Sequence, residues 1–173
     1  MGTPTREELA ELKSANSANT KTQAETNQYL TFRLAGEEYG LDILSVQEIR
    51  GNVPATRLPN SPPHVTGVLN LRGTIVPLYD LRKMFEMENG DYDQFAAIVV
   101  VNLGHKVIGL IVDRVSEVIT AVSSDIQPAP ELGASVRQNV ITGILRHEEN
   151  LVIILDAFAL LDAEAATAAP IAA

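Results

Sequence analysis

Apolar and polar residues alternate with a period of two along much of the chain, so short β-strands dominate the expected structure. Tyr29, Thr31 and Arg33 fall on one face of a first strand, with Leu30, Phe32 and Leu34 on the other. A turn at Gly36-Glu37-Glu38 leads into a returning strand over Tyr39 to Ile43. Further on, Ala96 to Leu103 runs out, Gly104-His105 turns, and Lys106 to Val112 runs back. Leu69 to Leu78 reads as another hairpin, folded at Arg72-Gly73, and Leu145 to Ile154 as its counterpart with a more polar tip. Pro62-Pro63 breaks the chain ahead of the strand at Val65, and Pro77 within a strand pattern belongs at an edge or bulge. Asp80 to Phe85 and Asp156 to Leu161 have the look of short helices.

These elements occur twice. Val65-Thr66-Gly67-Val68-Leu69 is answered by Ile141-Thr142-Gly143-Ile144-Leu145, and Ile75 to Asp80 by Leu151 to Asp156, both at a shift of 76 residues. Gly40-Leu41 and Val46-x-Glu48-Ile49 match Gly109-Leu110 and Val115-x-Glu117-Val118 at a shift of 69. Apolar positions, glycines and an aspartate repeat together, which argues for one small fold built twice. The copies diverge at Asn70-Leu71-Arg72-Gly73-Thr74 against Arg146-His147-Glu148-Glu149-Asn150. Shared residues serve the fold, so function is sought where the copies part. The acidic stretch Glu86 to Asp93, with its Asn89-Gly90 turn, marks the boundary between them. The expected organisation is a mobile polar tail over residues 1–28, a domain over 29–162 with halves at 29–88 and 94–162, and an Ala-rich end at 163–173. Within the first tail Thr5 and Glu8 have capping-box spacing, and Leu9 and Leu12 offer a docking face. Small repeated sheets of about five strands close readily into barrels, which removes exposed edges.

Composition narrows the function. The 173 residues, 46% hydrophobic, suit one domain or two small ones, and each repeat alone would be marginal, so the halves should share a core. Thirteen Lys and Arg against 22 Asp and Glu give a net charge of −9, which argues against nucleic acid and against anionic membrane surfaces. With 5% aromatic residues and no Trp, stacking on bases or sugars is disfavoured. The absence of Cys removes disulfides and thiolate chemistry. No run reaches the roughly 18 apolar residues of a membrane span, and the N-terminus lacks a signal-peptide core. A soluble cytoplasmic protein is expected, without membrane insertion.

No catalytic constellation assembles. Phosphate-loop, nucleophile-elbow and zinc-helix motifs are missing. His64, His105 and His147 fall in turns or loops and read as exposed residues rather than metal ligands or bases. Asp80 and Asp156 each follow a strand and precede a helical pattern, where Asp is a favoured N-cap. No catalytic residue, metal site or cofactor is expected. Arg72 at a hairpin tip is either a solvated cation or a partner anchor, since Arg is enriched at interface hot spots. Its loop context and the acidic Glu148 at the equivalent position of the second copy favour the anchor, while spacing alone leaves both readings open.

Gly40 to Ile49, Gly67-Val68-Leu69-Asn70-Leu71-Arg72-Gly73, Val76 to Arg82, Val101 to Gly104, Gly109 to Asp113 and Ile126 to Pro130 together resemble the CheW family of bacterial chemotaxis coupling proteins, over roughly residues 28 to 162. The resemblance implies an all-β fold with short helices: two intertwined SH3-like five-stranded β-barrel subdomains from an internal duplication. It implies a non-catalytic adaptor joining the cytoplasmic tips of chemoreceptors to the regulatory domain of the histidine kinase CheA. By position, Glu48 and Arg72 resemble an interacting pair that supports coupling, and Val46, Gly67, Val115 and Val118 resemble receptor-contact positions. Gly67 and Gly143 repeat, so a conformational role is equally open. The same fold ends CheA and occurs in CheV, both longer chains, so a stand-alone coupler is expected, in chemotaxis or a related motility or developmental system. The alternative is a small ligand-binding or enzymatic barrel, which needs a pocket with convergent polar groups.

Overall fold

The alternation resolves into eleven strands in the computed structural model, which describes residues 5–10, 26–51, 54–87, 92–130 and 139–167. They are β1 (Thr26–Leu34), β2 (Glu37–Asp42), β3 (Val46–Gly51), β4 (Val65–Leu71), β5 (Thr74–Asp80), β6 (Ala97–Asn102), β7 (Val107–Val112), β8 (Arg114–Val122), β9 (Ile126–Gln127), β10 (Ile141–His147) and β11 (Asn150–Leu155). Helices cover Leu81–Met84 and Ala157–Thr167. Each starts at an aspartate N-cap. Asp80 Oδ1 accepts from the backbone N–H groups of Arg82 and Lys83, and Asp156 Oδ1 from those of Phe158 and Ala159.

Two sheets result, with orders β8-β1-β2-β11-β10-β9 and β3-β6-β7-β5-β4. The repeat maps one order onto the other strand by strand. Even β9, which adds two residues beside β10, has a counterpart in the single bridge from Thr56 to Val68 beside β4. Registers agree as well: Tyr29 faces Asp42 as Ile98 faces Ile111, and Gly40 faces Ile154 as Gly109 faces Leu78. Each sheet combines the first hairpin of one copy with the later strands of the other, four in the first sheet and three in the second. Parallel ladders between β2 and β11 and between β5 and β7 join the exchanged parts.

Among the described residues both sheets are open, with six and five strands, and closed five-stranded barrels do not form. Closure of the first would need a ladder between β8 and β9. The chain between them makes a one-turn helix at Ser123–Asp125, and Pro128 and Pro130 directly after β9 have no N–H to extend it. In the second sheet the segment around Thr56 lies between Pro54 and Pro59 and contributes one bridge. Pro77 sits on β5 opposite Val68, while the ladder from β5 to β7 begins at Leu78, so proline occupies a site paired on one side.

The largest core cluster takes residues from both copies, among them Phe32, Leu41, Val99 and Leu110. Smaller clusters cover the other faces: Tyr29, Ile119, Leu145 and Ile154 in one sheet, Val76, Leu78, Ile98 and Val100 in the other. Strand β6, between β3 and β7, is buried on both faces, which explains its unbroken run Ala97-Ile98-Val99-Val100-Val101.

Described structure reaches into both the polar N-terminal stretch and the Ala-rich end. Residues 6–10 form a helix whose capping box is made: Thr5 N–H donates to Glu8 Oε2 at 2.6 Å, and Glu8 N–H to Thr5 Oγ1 at 3.3 Å. Its Leu9 is 1% exposed and belongs to the main core, whereas Leu12 lies outside the described residues. The first strand starts at Thr26, and the last helix continues to Thr167. The Asn89-Gly90 turn also lies outside the described residues.

Candidate functional site

The β4–β5 hairpin turns at Arg72 and Gly73, both with positive φ (51° and 88°), the combination that matches a two-residue turn to the strand twist. Asn70 Oδ1 accepts from the Gly73 N–H at 2.9 Å and steadies the tip. Arg72, which has a Cβ, occupies the left-handed region at a cost of about 1 kcal/mol. Its side chain then reaches back to β3, where Nη2 donates to Glu48 Oε2 at 3.0 Å.

Glu48 is 4% exposed, an unusual state for a carboxylate. Arg50 Nη1 lies 3.7 Å from its other oxygen, which makes no hydrogen bond among the described residues. A buried negative charge is thus flanked by two guanidinium groups that remain about half exposed, 56% for Arg72 and 41% for Arg50. The cluster carries a net positive charge on a chain of net charge −9, and its cationic side faces solvent. Such an arrangement suits directed hydrogen bonding to a partner and offers no proton-transfer pair.

The second copy does not reproduce it. Glu117 is 45% exposed and lies 3.8 Å from His147 Nε2, a looser contact on the neighbouring tip residue. Glu148 takes the backbone conformation of Arg72 (φ 55°) with the opposite charge.

Of the other expected contact residues, Val46 is fully buried and Val115 is 7% exposed, both in the main core, and Val118 packs against that core. Gly67 lies in the bulge of β4, where a Cβ would collide with the Thr56 carbonyl oxygen. Gly143 repeats this against Gln127, whose carbonyl oxygen would stand 2.6 Å from the added carbon. His64 is buried rather than exposed. Its ring stacks on Tyr79 with centroids 5.9 Å apart, and its carbonyl accepts the Asp80 N–H at 2.7 Å. Among the described residues no three His, Asp or Glu side chains are grouped to hold a metal.

A polar cluster that motif reading missed joins the two copies. Arg82 Nη2 donates to Asp113 Oδ2 at 2.5 Å, and that oxygen also accepts the Ala35 N–H at 2.9 Å. The Arg82 guanidinium stands 4.8 Å from the centre of the Tyr92 ring, whose hydroxyl donates to Asp80 Oδ1 at 2.6 Å. Burial and that hydrogen bond push the Tyr92 phenol well above its usual pKa. Arg82 is also raised, chiefly by its hydrogen bond to Asp113. The available signal was disagreement between the copies, since the repeat pairs Arg82 with Phe158 and Asp113 with Leu44.

Known proteins share this architecture and sequence. A family model described as CheW-like domain matches residues 28–165. The chain belongs to the CheW-like family. The chemotaxis protein CheW of Klebsiella aerogenes is 42% identical over 137 residues, covering 79% of this chain and 82% of that protein. A probable chemotaxis protein CheW of Rhizobium etli is 36% identical over 133 residues, covering 77% and 86%. The crystal structure of scaffolding protein TtCheW from Thermoanaerobacter tengcongensis superposes with a TM-score of 0.72 at 34% identity, covering 78% of this chain and 91% of that one. In this CheW-like chain the Arg72 cluster is confined to one of two topologically equivalent hairpins.

Proposed function

We propose that this protein is a non-catalytic chemotaxis adaptor that couples the cytoplasmic tips of chemoreceptors to the regulatory domain of the histidine kinase CheA. The observation that carries the reading is the CheW-like match across residues 28–165. The exposed, ion-paired Arg72 at a hairpin tip supplies a fitting contact. Glu48 orients that arginine. Val46, Gly67, Val115 and Val118 support the receptor-facing side, the valines by packing beneath it and Gly67 by setting the path of β4. The adaptor works in the cytoplasm through residues 29–162, whose two sheets are SH3-like subdomains descended from duplication. Among the described residues no helix is long and apolar enough to cross a membrane, which fits a protein recruited by receptors.

The test is co-precipitation with CheA, with and without receptor cytoplasmic fragments, reading kinase activity in the same samples. Binding with receptor-dependent control of the kinase is expected. A folded protein that neither binds nor alters the kinase in any receptor combination would sink the proposal.

A further inference from the structure

The duplication gives the fold two equivalent clefts, each between the corner after one copy's first hairpin and the helix start of the other copy. They are finished differently. In one, Arg82 and Asp113 bridge the cleft with side chains only 16% and 19% exposed, and Tyr92 covers Asp80. In the other, the repeat puts Phe158 where Arg82 stands and Leu44 where Asp113 stands. Both are exposed, at 56% and 51%. Between them lies an open groove of about 320 Å³ that also reaches Ile154, Tyr29, Asp42 and Asp156. The register identifies the two floors, since Tyr29 opposite Asp42 replaces Ile98 opposite Ile111.

We propose that the groove between Leu44 and Phe158 is a docking site for a partner protein presenting an aromatic side chain beside an arginine. The sealed cleft is the template for that chemistry, because the chain itself fills it with the ring of Tyr92 and the guanidinium of Arg82. Charge agrees. The open groove is lined by two carboxylates and, among the described residues, by no basic side chain. Asp156 is exposed, whereas its counterpart Asp80 is buried under Tyr92. An incoming tyrosine hydroxyl can donate to Asp156 as Tyr92 does to Asp80, its ring covering Phe158 and Leu44, while the arginine meets Asp42. Two large apolar side chains facing one groove on an otherwise acidic chain have a purpose if they are covered in the assembled state.

The full chain is titrated with acetyl-Gly-Tyr-Arg-Gly-amide and with acetyl-Gly-Tyr-Glu-Gly-amide, following the Leu44 and Ile154 methyls and the Phe158 ring by NMR. The arginine peptide is expected to shift all three and to bind about tenfold or more tighter than the glutamate peptide. The double variant Leu44→Asp with Phe158→Arg rebuilds the ion pair of the sealed cleft at two exposed positions. It is expected to stay folded and to lose binding of the arginine peptide at least tenfold. Equal response to both peptides, or undiminished binding by the double variant, overturns the proposal. Groove shifts that follow protein concentration, or removal of residues 168–173, instead of peptide would assign the groove to a second copy or to the chain's own end and overturn it too. The peptides contain neither receptor nor kinase, so the result is independent of the adaptor reading.

Discussion

Glu48 and Arg72 meet at 3.0 Å across 24 residues of sequence, and the pair joins the buried face of β3 to the exposed tip of the β4–β5 hairpin. Its counterpart in the second copy is a 3.8 Å contact between Glu117 and His147. The difference is one of burial. Glu48 is held inside, so its charge is strongly directed onto Arg72, whereas Glu117 is nearly half exposed and screened by solvent.

Replacing Arg72 with Ala should cost little stability, about 1 kcal/mol, because the arginine is more than half exposed and Arg50 still faces Glu48. Partner binding should fall about 30-fold, as for a hot-spot truncation of roughly 2 kcal/mol. Urea denaturation and the kinase co-precipitation read the two effects separately. A folded variant with unchanged kinase and receptor binding would remove Arg72 from the mechanism.

Gly67→Ala and Gly143→Ala should each destabilise the protein by about 2 kcal/mol or more, since the added carbon meets backbone that cannot swing aside. Midpoints of urea unfolding check this. Comparable losses for the two variants would assign Gly67 chiefly to conformation. A stable Gly67→Ala protein with weakened receptor binding would assign it to the contact.

Tyr92 links pH to stability. Its folded-state pKa lies above the ordinary value of 10.0, so the neutral phenol is the form the fold favours. The contribution is full below pH 10.0 and is lost as pH rises beyond it. Tyr29, also raised by burial, adds to the same alkaline loss. Thermal melts from pH 8 to 11 should therefore show a falling Tm above about pH 10. Tyr92→Phe should start lower, by about 1.5 kcal/mol for the lost hydrogen bond to a carboxylate, and fall less steeply. An unchanged alkaline slope in Tyr92→Phe would contradict the assignment.

Leu9→Ala should destabilise the whole fold by about 2 kcal/mol, because Leu9 is a core residue despite its place in a polar N-terminal stretch. Thr5→Ala should lose a smaller amount, about 0.5–1 kcal/mol, through the capping box. Equal melting of Leu9→Ala and the parent chain would mean that the helix at residues 6–10 contributes nothing to the core.

What the amino-acid sequence determined by itself is local or repeated. Alternation placed the hairpins, Arg72-Gly73 marked a tight turn, and Asp80 and Asp156 announced the helix starts, because each depends on a few neighbouring residues. The internal repeat and the family resemblance were also legible, and the repeat singled out Arg72 by pairing it with Glu148. Tertiary structure alone decided which strands lie side by side. Period-two alternation says which face of a strand is apolar but not which edge it joins. Which copy's hairpin enters which sheet, and the failure of β8 and β9 to close a barrel, therefore stayed hidden. The same limit applies to side chains. His64 looks like any loop histidine until a distant core surrounds it, and the docking face marked by Leu9 does not say which core it joins. Arg82 meets Asp113 only because the exchange brings the helix start of one copy to the corner of the other. Contacts across such separations depend on how both copies pack together, and no local pattern encodes that.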